Sequence, residues 1–218
     1  MKQRDKFEGN LPGKALKYEM FRPQMLIPLL LLFLLISAGC KKEEQAIPAT
    51  PEIFPLKVGY KWNFLAVRND SVRSNHVNEV TKDTIYDGQP WFILTYDTAI
   101  HTICKNQTGG WWFLYSAAAG APGVPALYYK YPAQVNDQYF TIDSSLVKVV
   151  SINEKVTVAA GTFTCYHYHM IHYRESYECE EYFAPGTGFI KHVIYVTGSG
   201  TSSVFETTTL VSCNIPSQ

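Results

Sequence analysis

The chain has 218 residues, with 19 Lys plus Arg against 19 Asp plus Glu, so its formal net charge is zero and a basic nucleic-acid surface has no support. At 46% hydrophobic, 14% aromatic and 17% charged residues, the composition excludes a disordered chain. Five cysteines is an odd count for an exported chain, which ordinarily keeps an even number or sets one thiol apart.

The neutrality divides into two unlike parts. Residues 1–39 hold six basic side chains against three acidic, a net of +3, and the remaining 179 residues hold 13 basic against 16 acidic, a net of −3. From Met25 to Ile36 runs a 12-residue apolar stretch with Pro28 inside it, closed by Ser37-Ala38-Gly39 and then Cys40. A membrane-crossing helix needs about 20 apolar residues, whereas a signal-peptide core needs about 7 to 15 with basic residues before it and small ones after it. Residues 1–39 therefore read as a signal peptide, with Met20 an alternative start that keeps Arg22 as its basic residue.

Small residues directly before a cysteine resemble a bacterial lipobox, with Ser37 where leucine is commonest. That resemblance makes Cys40 the lipidated first residue of the mature chain, carrying palmitate-type acyl chains, and implies an outer-membrane lipoprotein of the cell envelope. One acyl chain anchors only marginally, so two or three are needed for durable attachment. Lys41-Lys42-Glu43-Glu44-Gln45 resembles the surface-export signal of Bacteroidota-type lipoproteins and reads equally as a charged tether. Residues 40–52 form the lipidated cysteine and a polar, proline-rich linker.

Residues 53–218 read as one all-β domain: a single antiparallel, strongly curved sheet, an open barrel or a sandwich. Runs of Val, Ile, Thr, Tyr, Phe and Trp recur with turn chemistry between them and without helical periodicity. The expected strands are 58–68, 73–85, 90–98, 100–105, 110–116, 126–131, 138–142, 145–159, 162–174, 177–184, 187–197 and 202–213. Asp87-Gly88, Thr108-Gly109-Gly110, Ala160-Gly161, Pro185-Gly186-Thr187-Gly188 and Gly198-Ser199-Gly200 are among the separating turns.

Phe54-Pro55-Leu56-Lys57-Val58-Gly59-Tyr60-Lys61-Trp62 and Tyr131-Pro132-Ala133-Gln134-Val135-Asn136-Asp137-Gln138-Tyr139 share aromatic-Pro-x-x-Val-x-x-x-aromatic, 77 residues apart. The pattern is either a repeat of two sheet halves or a coincidence in an aromatic-rich chain. In both copies Pro should fix an extended entry, Val should pack, and the turn should aim the last aromatic into the core. The first copy, with Val156–Tyr166 and Tyr182–Lys191, resembles exported Bacteroidota-type lipoproteins that share a proline-led first strand, an Ala-Gly-Thr-Phe turn and an Ala-Pro-Gly-x-Gly turn. The resemblance covers most of residues 53–197 and implies a strongly curved antiparallel sheet like the half-barrel of lipoprotein carriers. Its motifs concern turns and packing, so it implies no activity.

The strongest chemical constellation is Cys165-Tyr166-His167-Tyr168-His169-Met170-Ile171-His172. Alternation on a strand puts Cys165, His167 and His169 on one face, and Tyr166, Tyr168, Met170 and His172 on the other. His-x-His is a ligand pair for Zn, Cu or Ni. A two-residue turn at Glu175-Ser176 would set Glu180 diagonal to His169, making His167, His169 and Glu180 a candidate metal set. It would also set Cys179 opposite His172 and Cys165 opposite Gly186. Solvent-facing histidines beside surface glutamates are the simpler account of the same residues. With Cys40 acylated, Cys104, Cys165, Cys179 and Cys213 remain as candidates for a disulfide in an oxidising compartment, in any of three pairings or as free buried thiols.

Adjacent rings in Trp111-Trp112-Phe113-Leu114-Tyr115 and in Tyr128-Tyr129-Lys130-Tyr131 should lie on opposite faces. That points to a second covered face, an apolar groove, or exposed rings for a saccharide or protein partner; a core on one side with amphipathic tyrosines on the other is the plainer reading of the same residues. Asp70-Ser71-Val72, Asp83-Thr84-Ile85 and Asp97-Thr98-Ala99 resemble the O-glycosylation signal of Bacteroidota-type exported proteins, making Ser71, Thr84 and Thr98 candidate acceptors. No Gly-x-Ser-x-Gly, His-Glu-x-x-His or phosphate-binding glycine loop occurs. The sequence thus predicts a membrane-anchored, non-enzymatic binding or structural module for a partner, apolar ligand or saccharide, with no catalytic residues and no cofactor. The alternative is a metal-binding protein or metal-dependent enzyme built on His167 and His169.

Overall fold

The structure, a computed structural model, describes residues 50–215 apart from 69, 98–99, 117–120 and 199–200. The described residues form twelve strands: β1 (Lys61–Arg68), β2 (Ser71–Tyr86), β3 (Gln89–Tyr96), β4 (Ile100–Gln107), β5 (Gly110–Tyr115), β6 (Val124–Lys130), β7 (Gln138–Phe140), β8 (Leu146–Val158), β9 (Gly161–His172), β10 (Tyr177–Ala184), β11 (Gly188–Gly198) and β12 (Thr201–Cys213). All twelve expected strands form, and no helix forms among the described residues.

The strands make one antiparallel sheet in the order β6-β5-β4-β3-β2-β1-β12-β11-β10-β9-β8-β7. Every neighbour but one is consecutive in the chain; the exception is the pairing of β1 with β12. This is an up-and-down meander joined first to last and left open between β6 and β7. Of the two expected architectures, the open curved sheet is the one adopted, and the sandwich is not.

Alternation decides which side chains enter. In β1, Trp62, Phe64 and Ala66 are buried while Lys61 and Asn63 are exposed. Trp62, Phe64, Val80, Leu94, Val147, Tyr168, Met170 and Leu210 are all at most 1% exposed and belong to one core. Their rings and branched chains suit a pleated, half-buried surface.

The open edges meet through side chains. The Tyr139 hydroxyl of β7 accepts from the Lys130 amide of β6 at 3.0 Å and donates to the Tyr128 carbonyl at 2.9 Å. The Tyr168 hydroxyl donates to the Lys130 carbonyl at 2.8 Å, and Lys130 Nζ lies 2.9 Å from Asp137 Oδ2. Two tyrosines thereby satisfy edge groups that a further strand would otherwise pair.

The 77-residue echo is a structural repeat. In the first copy the Tyr60 amide donates to the Lys57 carbonyl at 3.0 Å, the Gly59 amide to the Val80 carbonyl at 2.8 Å, and the Val80 amide to the Tyr60 carbonyl at 2.9 Å. In the second copy the same bonds run from Asp137 to Gln134 at 3.0 Å, from Asn136 to Val149 at 2.8 Å and from Val149 to Asp137 at 2.9 Å. Gly59 and Asn136 both have positive φ, 91° and 72°. Each copy leads into the first strand of a six-strand half, β1–β6 or β7–β12. The first turn also explains why β1 begins at Lys61 and not at residue 58. The packing role expected for the shared valine is not observed: Val58 and Val135 are 48% and 47% exposed, because the turn points them outward.

Two of the three family-like motifs meet at one corner. Ile53 and Phe54 are each 1% exposed, and Phe54 stacks on Trp111 with centroids 4.4 Å apart. The Gly186 amide donates to the Glu52 carbonyl at 2.7 Å, and Trp62 Nε1 donates to the Thr187 carbonyl at 2.7 Å. Gly188 lies against Phe54 so closely that an added Cβ would stand 2.9 Å from the ring.

Candidate functional site

The concave side of the sheet holds a half-open cavity of about 410 Å³. That volume is in the range of small-molecule sites, which are mostly apolar with a few placed polar groups. Its rings come from both halves of the fold and from the N-terminal strap: Phe54, Trp111, Phe113, Tyr128, Phe183 and Phe189 all face it. They also contact one another, with Phe113 stacked on Tyr128 at 4.4 Å and Trp111 edge-on to Phe113 at 4.7 Å.

Tyr128 and Tyr129 both line this cavity, contrary to the expectation that they face opposite ways. The register explains it. Trp111 pairs with Tyr129 and Trp112 with Leu127, so Tyr128 is the extra residue of a β-bulge. A bulge re-aims a side chain that strict alternation would send outward. On β5, Trp111 and Phe113 point in as alternation requires.

At one part of the wall the rings give way to polar groups. Cys179 and Glu181 are two apart on β10 and share its cavity face; His192 of β11 stands directly opposite Glu181. One ligand atom from each of these three residues lies within 4.8 Å of the other two, the single such His/Cys/Asp/Glu group among the described residues. Glu181 accepts a hydrogen bond from the Tyr129 hydroxyl. His172 of β9 adds a further nitrogen, with Nε2 3.7 Å from Cys179 Sγ and Nδ1 2.9 Å from Ser145 Oγ. Asn78 is 5% exposed, lines the cavity, and leaves Oδ1 without a hydrogen-bond partner.

Glu181 dominates the local field. It is 12% exposed, and no Lys or Arg among the described residues forms an ion pair with it. Burial is the main cause that pushes up the Cys179 thiol and the Tyr128, Tyr129 and Tyr177 phenols, and the Glu181 charge adds to it in each case. His172 is lowered, because burial outweighs the opposing carboxylates.

The histidines and glutamate singled out in the sequence lie on the other face of the same strands. The loop between β9 and β10 has four residues, not two, with the Ser176 amide donating to the His172 carbonyl at 2.9 Å. His172 therefore pairs with Tyr177, His169 with Glu180 and Met170 with Cys179. A shift of two residues keeps every side chain on its expected face. His167 is held between two carboxylates, Glu154 on Nδ1 at 2.7 Å and Glu180 on Nε2, and stacks on Tyr182 at 4.3 Å. His169 Nε2 lies 3.0 Å from Glu178. These are side-by-side pairs on one strand face, and the atoms of His167, His169 and Glu180 do not converge on one point.

Cys104, Cys165 and Cys179 are buried free thiols, and Cys213 is half-buried and free. Burial pushes the Cys104 and Cys165 thiols up to about 12. Ser71 is exposed at the start of β2, whereas Thr84 is half-buried inside β2 and pairs with Trp91. Cys40 and Thr98 lie outside the described residues.

The polar group at Cys179, Glu181 and His192 was not read from the sequence. Cys-x-Glu on one strand was visible. Its partner depends on the β10–β11 bulge, where Tyr182 pairs with Lys191 but Phe183 pairs with Phe189. Without the extra residue, Ile190, the hairpin would set His192 opposite Glu180.

The fold and cavity define a class: a single antiparallel meander curled around an aromatic-lined pocket and opened between its two halves. No protein-family model matches the chain, and no curated protein matches it. Among solved structures it is similar to a protein of Bacteroides fragilis described as exported and as having a YmcC-like fold, with 14% identity over 75% of this chain and 99% of that one and a TM-score of 0.50. A second similarity is to a protein of Parabacteroides distasonis described as a lipoprotein, with 13% identity over 76% of this chain and 99% of the other and a TM-score of 0.45. At such identities the first similarity concerns the fold.

Proposed function

We propose that this chain is an outer-membrane lipoprotein, anchored through acylated Cys40, whose β domain binds a small apolar ligand in the aromatic cavity without transforming it. The observation that carries the reading is the cavity: about 410 Å³, half-open, and faced by rings that belong to both halves of the meander. Apolar groups left facing water at this density are ordinarily covered by an occupant. The lipobox-like Ser37-Ala38-Gly39-Cys40 and the short apolar run before it support the anchor.

Native mass spectrometry of the full chain purified from its own envelope tests both parts. The reading predicts an acylated mature chain with a bound apolar molecule that disappears in Ile194→Trp, a substitution at the cavity wall. A bound saccharide would replace the apolar class, and a chain carrying no adduct would contradict binding. Cys40→Ala is expected to leave the membrane on carbonate washing; retention would contradict the anchor.

A further inference from the structure

We infer that Cys179, Glu181 and His192 form a binding site for a divalent transition metal of the zinc class, set in the cavity wall with a coordination position open to the cavity. The inference goes beyond the apolar-ligand reading and does not depend on it.

Geometry comes first. The three residues supply one sulfur, one oxygen and one nitrogen within 4.8 Å of each other from two paired strands, with His192 Nε2 3.8 Å from Glu181 Oε1. Those separations need only a small inward movement of side chains to suit bonds of about 2.0–2.3 Å around one ion. The donor types suit zinc: thiolate, imidazole and carboxylate together disfavour Ca²⁺ and Mg²⁺, which take oxygen. Three protein ligands with an open fourth place is the arrangement of zinc sites that accept a further ligand.

Supporting contacts already hold the donors in place. Tyr129 donates to Glu181, as a second layer of hydrogen bonds orients metal-binding carboxylates. His192 Nε2 is buried and makes no hydrogen bond. His172, fixed through Nδ1 to Ser145, directs Nε2 to the Cys179 sulfur and stands beside the site.

Electrostatics point the same way. The Glu181 carboxylate stands in a ring-lined pocket, only 12% exposed, with no Lys or Arg paired to it among the described residues. A bound dication would supply the missing positive charge and take the thiolate, releasing the Cys179 proton to solvent. On the outer face both ring nitrogens of His167 and Nε2 of His169 are already taken up by carboxylates, whereas His192 Nε2 makes no hydrogen bond.

The test is titration of the full chain with Zn²⁺, followed by Co²⁺ as a spectroscopic substitute. One ion per chain is expected, with a thiolate-to-cobalt charge-transfer band in the near ultraviolet. Cys179→Ser should remove the band, and Glu181→Gln and His192→Gln should each weaken binding by at least about tenfold. His167→Gln and His169→Gln should leave it unchanged. No band in the native chain, a band that survives Cys179→Ser, or binding abolished by His167→Gln alone would each overturn the inference. Circular dichroism of each variant checks that it is folded. Because Glu181→Gln and His192→Gln preserve size, loss of binding in both with the fold intact separates ligation from packing. Binding of a neutral apolar dye, measured in parallel, reports the cavity independently of the metal.

Discussion

Tyr139 spans the opening of the sheet: its hydroxyl accepts from the Lys130 amide at 3.0 Å and donates to the Tyr128 carbonyl at 2.9 Å. A side chain thus performs on β6 what a paired strand performs elsewhere. Removing that hydroxyl leaves one amide and one carbonyl without their partner at a partly buried seam. Tyr139→Phe is expected to destabilise the domain by about 1–3 kcal/mol. Urea unfolding measures the loss, and an unchanged midpoint would show that the seam does not depend on these bonds.

Gly188 has φ of 95°, and an added Cβ would stand 2.9 Å from the Phe54 ring. Gly59 has a similar φ of 91° with nothing within 4 Å of such a Cβ. Gly59→Ala therefore carries the backbone cost alone, more than about 0.4–1 kcal/mol, while Gly188→Ala adds a steric clash in a packed core. Chemical unfolding should rank Gly188→Ala as clearly the more damaging; equal losses would mean that Phe54 can move aside.

The equivalence of the two turns predicts tolerance at Asn136. Asn136→Gly reproduces the residue found at Gly59 and should be close to neutral. Asn136→Val forces a branched side chain into φ of 72° and should cost about 1–2 kcal/mol or more. Thermal unfolding of the two variants checks this, and equal stability would deny that the turn sets the conformation.

His167 titrates in a way that couples to folding. Burial opposes its charged form, but the Glu180 and Glu154 carboxylates outweigh burial and raise its pKa above the ordinary 6.5. A raised folded value means that the contribution is fully present below 6.5, the unfolded value, and is lost as pH rises through the higher folded value. The unfolding temperature should therefore fall across that window, and His167→Gln should flatten the fall. A native profile that rises there would contradict the ion-pair account.

Strand existence was legible because the turns carry their own chemistry. Asp87 and Gly88, with φ of 48° and 68°, make the two-residue hairpin that such a pair favours. Faces were legible too, since His167 and His169 lie opposite His172 and Met170 as alternation requires. Bulges were not legible. The extra residues Tyr128 and Ile190 turn rings and His192 toward the cavity, and their places follow from packing between distant strands. The valines of the echo misled for a related reason: a shared pattern marks a shared backbone turn, and that turn sends Val58 and Val135 outward.

The central claim is that the aromatic cavity is a binding site, and titration of the full chain with N-phenylnaphthylamine tests it most directly. This neutral dye brightens in apolar surroundings and accepts energy from Trp111, which stands in the cavity wall. The account predicts saturable binding of one dye per chain, quenching of tryptophan emission, and loss of both in Ile194→Trp. Weak, unsaturable brightening that is the same in Ile194→Trp would contradict it.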